Sequence, residues 1–148
     1  MADLKAVLEK ANDMKWRIDS ILNFSTYEDY DDLSGLKINY RDGEQLFLLE
    51  ELRTVMKNLE EAKDRLSYLA RPIQEVSRLH RNESGRYETA SGHSYTSGSL
   101  IEALVKDGYH EVPYWVRTSL EHNGRDYYLV GYTDVALDGL TVRVRGRV

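Results

Sequence analysis

A chain of 148 residues that is 41% hydrophobic and 30% charged has the make-up of a folded protein in water, which excludes the disordered and membrane-embedded classes. Its formal net charge of −5 disfavours tight non-specific binding to nucleic acid or anionic lipid, and with no cysteine it can have neither disulfides, thiolate metal sites nor a cysteine nucleophile. No apolar run approaches the roughly 20 residues that span a bilayer, and MADLKAVLEK lacks the hydrophobic region of a signal peptide, so a cytoplasmic protein with no membrane partner is expected.

From Leu4 the apolar residues Leu4, Val7, Ala11, Met14, Ile18 and Ile21 recur in steps of three and four, with Leu8 and Leu22 widening the stripe; this spacing predicts one amphipathic helix. Ser25 to Gly43 breaks the period and reads as a loop. Its Glu28, Asp29, Asp31 and Asp32 lack the ligand spacing of a calcium loop, so a solvated acidic turn is expected and no metal. Asp42 is placed to cap the next helix, with Gln45 able to complete a capping box.

The spine of the chain is the run from Glu44 to His80. Leu48, Leu52, Val55, Leu59, Ala62, Leu66, Leu69, Ile73 and Val76 recur in alternating steps of four and three, the heptad pattern of a coiled coil. A long helix is therefore predicted, kinked by Pro72 and ending near Leu79. The first helix would return along it as an antiparallel, coiled-coil-like hairpin over residues 1–81. Leu46, Phe47, Leu49 and Met56 lie outside the heptad positions, and this surplus predicts burial against a second chain or against the tyrosines of the 25–43 loop; oligomerisation, most simply a homodimer, is the leading expectation.

After Asn82 the pattern changes to short segments rich in Tyr, Val, Leu and Thr: 86–89, 100–105, 113–121, 126–132 and 140–145. Five strands are predicted, closing a small antiparallel β-barrel over residues 82–148, with a type I′ hairpin at Asn123-Gly124. Leu140, Val142 and Val144 alternate with Thr141, Arg143 and Arg145, one face for the core and one for water. Trp115, Arg117, Tyr127, Arg143 and Arg145 form the candidate binding surface, suited to clasping a peptide or stacking bases.

NESGRYE at Asn82 to Glu88, TSGSLIEAL at Thr96 to Leu104 and WVRTSLEHNGRDYYLVGYTDVALDGLTVRVR at Trp115 to Arg145 resemble a small family of unknown function, found in Gram-positive bacteria and their mobile elements. The resemblance implies a module over the C-terminal half and carries no activity with it. A short helical turn expected at Asp134 to Gly139 is also how Src-homology-3-like barrels end, which makes the fold class α+β, a helical hairpin followed by a five-stranded barrel of that type.

His80, His93, His110 and His122 lack paired metal-site spacing, and no phosphate-binding or nucleophile-elbow motif is present. SGHSYTSGS brings His93 near Ser91, Ser94, Ser97 and Ser99 in sequence, but a Gly/Ser-rich connection accounts for it. No catalytic residue, cofactor or enzymatic activity is expected. The leading expectation is an assembly protein that self-associates through its helices and presents the barrel to a protein or peptide. The alternative is a nucleic-acid-binding accessory protein of a phage or mobile element.

Overall fold

A computed structural model describes residues 1–147 and shows an α+β protein of two compact units, one from Met1 to Ala70 and one from Arg71 onward. In the first unit the Asp3 carboxylate accepts from the Ala6 N–H at 2.8 Å and starts α1, Leu4–Asn12. The single helix expected here is bent into two, because at Asn12-Asp13 two poor helix formers adjoin and the ladder tightens to Met14 N–H donating to Ala11. α2, Lys15–Phe24, follows.

Residues 25–42 are turns, as expected, and Leu33 inserts from them into the core despite a φ of 61°. Asp42 caps α3, Gly43–Leu69, by accepting from the Glu44 N–H at 3.0 Å. The capping box does not close, since Gln45 reaches back to the Asn39 N–H at 2.7 Å. Ile18 and Leu22 of α2 meet Leu33 and Met56 in a small core flanked by Tyr27, Leu36, Leu49 and Leu59. Asp19 pairs with Lys63.

The expected helix through Pro72 to Leu79 is corrected by the structure: α3 stops at Leu69, and Ile73–Arg78 is a strand, β1. Pro72 favours extended backbone at Arg71 and cannot donate to a helical ladder. The misleading spacing has a specific cause. β1 bulges between Ile73 and Glu75, so Ile73 and Val76 fall opposite Arg145 and Arg143 on one face although they stand three apart. β1 belongs to the second unit, so the compact units divide at Ala70 and Arg71, ahead of the expected 81/82 boundary.

The second unit continues with β2 (His80–Arg81), β3 (Tyr87–Glu88), β4 (Leu100–Val105), β5 (Tyr114–His122), β6 (Tyr127–Leu129) and β7 (Thr141–Arg145). β2 and β3 form a two-stranded sheet, with Glu88 of β3 also bridged to Ser94; the remaining five form an antiparallel sheet in the order β1-β7-β4-β5-β6. This sheet is not closed into the expected barrel. The first expected barrel strand, β3, is engaged by β2, and β1 and β6 stand at opposite edges. The segment 134–139 is a set of turns, and only Gly124 in the Asn123–Asp126 turn has positive φ, which rules out type I′. Ile101, Ala103, Val105, Leu120, Leu129 and Val142 are buried on one side of the sheet with Leu79, Tyr87, Tyr95, Leu137 and Leu140.

Candidate functional site

The opposite side of the sheet collects most of the residues expected to bind. Strand alternation puts Glu102 of β4, Trp115 and Arg117 of β5, and Arg143 and Arg145 of β7 on this face. Val76, Arg143, Glu102 and Arg117 make one row across four strands, each opposite the next in register.

Glu102 is the hub. It is only 5% exposed, and it accepts from Arg143 Nε at 2.9 Å and from Arg145 Nε and Nη2 at 2.7 and 3.2 Å. Arg145 also donates to the Arg71 carbonyl at 2.9 Å. The Arg143 guanidinium stacks over the Trp115 ring at 4.3 Å, a cation–π contact. A carboxylate removed from water between two guanidiniums has its charge compensated by fixed donors. This fixes Trp115 and Arg143 as a preformed plate of aromatic and cation, bordered by exposed Ile73, Val76 and Leu100.

Tyr127 does not join this plate. It lies on the core side, edge-on to Tyr87 at 6.4 Å and to His122 at 4.8 Å, because His122 and Tyr127 are partners on the same parity as Leu120 and Leu129. Tyr128, opposite Glu121, takes the outer position instead. Glu102 is absent from the binding surface expected from sequence: its alternation with Ile101 and Ala103 is a local signal of an outward-facing side chain, whereas its burial depends on the arginines of β7.

A second constellation closes the β4–β5 connection. Asp107 accepts from the Tyr114 hydroxyl at 2.5 Å, from the backbone N–H groups of Tyr109 and His110, and lies 2.9 Å from His110 Nδ1. The Tyr114 hydroxyl holds the Asp107 carboxyl well below the usual carboxylate range, and the same bond raises Tyr114 above the ordinary phenol. Glu75 accepts from Ser91 Oγ at 2.6 Å and Thr89 Oγ1 at 2.9 Å, and these donors, Ser91 first, lower its pKa. Ser91 is thus bonded to a carboxylate, and the His93 ring packs on Tyr95. Among the described residues no group of three or more His, Asp or Glu side chains could hold a metal ion, and no helix is long and apolar enough to cross a membrane.

In the helical unit the expected oligomerisation residues separate. Met56 is buried against α2 and Leu49 packs beside it, whereas Leu46 and Phe47 are exposed. The heptad stripe itself turns outward: Leu48, Leu52, Val55 and Leu69 are 42–46% exposed. The stripe next to it, 49, 56 and 63, takes the intramolecular contact together with Leu59 of the heptad stripe.

Fold and surfaces together describe a two-unit α+β protein whose C-terminal unit is an open antiparallel sheet with one dressed face. Residues 76–144, from within β1 to within β7, match the model of the family described as Domain of unknown function (DUF5348). That segment contains Glu102, Trp115, Arg117 and Arg143. No curated protein and no solved structure matches the chain.

Proposed function

We propose that the protein is a cytoplasmic, non-enzymatic assembly protein: it self-associates through the helical unit and offers the Trp115–Arg143 face of the sheet to a protein or peptide partner. α1–α2 and α3 act in this reading as the arms of an antiparallel, coiled-coil-like hairpin. The carrying observation is the outward heptad stripe of α3, apolar at Leu48, Leu52, Val55 and Leu69 and half exposed. A contiguous apolar stripe of this length is rare on a monomer, and burying the exposed half of each leucine is worth roughly 1 kcal/mol at about 25 cal/mol per Å².

Light scattering on the full chain tests this. A dimer or larger species is expected at micromolar concentration, reduced to monomer by Leu52→Glu with helicity retained. A wild-type monomer at high micromolar concentration overturns the reading.

A second reading, nucleic-acid binding, is favoured by Arg117, Arg143 and Arg145 on the same face of the sheet as Trp115. Glu102 neutralises part of that charge and the chain is net negative, so it ranks lower. Binding to oligonucleotides that weakens steeply with salt would favour it.

A further inference from the structure

Resting on the proposed self-association, we infer that the outward stripe of α3 is covered by α3 of a second copy, laid antiparallel about a two-fold axis beside Asn58. The stripe runs from Leu48 to Leu69 along about 30 Å of helix; Leu48, Leu52, Val55, Ala62 and Leu69 are exposed, Leu66 is half-buried, and Leu59 also packs on the α2 core. Two flanks border it. On one, Leu49 and Met56 pack against the α2 contact and Lys63 pairs with Asp19, so this flank is already occupied within the chain. The other flank is Glu51, Asn58 and Arg65, spaced seven apart, and all three are exposed.

Those three residues read as their own complement when reversed. In an antiparallel pair like flanks meet, so Glu51 stands against Arg65 of the second copy, Asn58 against Asn58, and Arg65 against Glu51. In a parallel pair Glu51 would instead face Met56 of the second copy and Asn58 would face Lys63, on the flank that α2 covers, so Glu51 would meet no cation. The apolar layers agree with the antiparallel register. It sets Leu48 against Leu66, Leu52 against Ala62 and Val55 against Leu59, so the small Ala62 meets a large side chain. A groove of about 460 Å³ lies on this half of α3, lined by Ala11, Asn58, Ala62, Arg65, Leu66 and Leu69 among others. The register delivers Leu48 and Leu52 of the second copy into it.

The chain has no cysteine, so introduced thiols report the orientation directly. Leu52 and Ala62 are exposed, and single replacements there keep the fold, checked by circular dichroism. Leu52→Cys and Ala62→Cys are each oxidised alone and then as a mixture. A disulfide-linked dimer is expected from the mixture and not from either variant alone. Charge reversal is the second arm: Glu51→Arg or Arg65→Glu should weaken dimerisation about tenfold, two attractive pairs becoming repulsive, and the double reversal should restore it. If Leu52→Cys cross-links with itself while light scattering still shows a dimer, the antiparallel arrangement is wrong and self-association stands. If light scattering shows a monomer, both fall together.

Discussion

Replacing Glu102 by Ala tests the hub of the sheet face. The carboxylate is 5% exposed, and the side chains of the two arginines bound to it are 19% and 10% exposed, so the substitution removes the carboxylate that both largely buried cations bind. Removing one partner of a buried ion pair costs about 3–5 kcal/mol. For a unit of this size that corresponds to a fall in Tm on the order of 12–40 °C, at roughly 4–8 °C per kcal/mol. The measurement is chemical and thermal denaturation of the full chain, followed by near-ultraviolet circular dichroism, where Trp115 beneath Arg143 supplies a local signal. Replacing the whole cluster, Glu102→Leu with Arg143→Leu and Arg145→Met, should recover most of the loss, because matched apolar groups avoid the desolvation of unpaired charge. A single variant within about 0.5 kcal/mol of the wild type would refute the view that the cluster is a desolvated ion network.

Met56→Ala should destabilise the helical unit by about 2–5 kcal/mol, whereas Leu52→Ala should leave monomer stability nearly unchanged and weaken self-association; urea melts and light scattering separate the two. Asp107 has a folded pKa below its unfolded value, so its stabilisation is complete above about pH 4 and is lost as pH falls through the lower folded value. Asp107→Asn should therefore be less stable at pH 7, with the gap to wild type closing in acid melts below about pH 4. Pro72→Ala should not lengthen α3, because Pro72 leads into β1 and its carbonyl accepts from the Gly146 N–H at 2.7 Å; unchanged far-ultraviolet helicity is the expected readout.

Elements whose signal is local were legible in the chain. β4 runs over the predicted residues, Leu100 to Val105, because Ile101, Ala103 and Val105 alternate with outward-facing neighbours and turns bound both ends. Asp42 as a cap and the turns of 25–42 follow from side-chain hydrogen bonding and broken periodicity in the same local way. The heptad of α3 was visible as well, but not which face of the helix would stay inside. The core formed by Ile18, Leu22, Leu33 and Met56 claims the neighbouring stripe, and that choice depends on where the 25–42 turns deliver Leu33. Three features were decided only by tertiary structure. The strand at Ile73–Arg78 imitated a helix because one bulge residue turns a two-residue period into a three-residue step. The sheet is open, with β1 and β6 at its edges, because its order is set by pairings between strands far apart in sequence, β1 with β7 and β7 with β4. The burial of Glu102 between Arg143 and Arg145 required β4 and β7, forty residues apart in the chain, to become neighbours. Periodicity reports which side of an element is apolar; it carries no record of which distant element arrives to cover it.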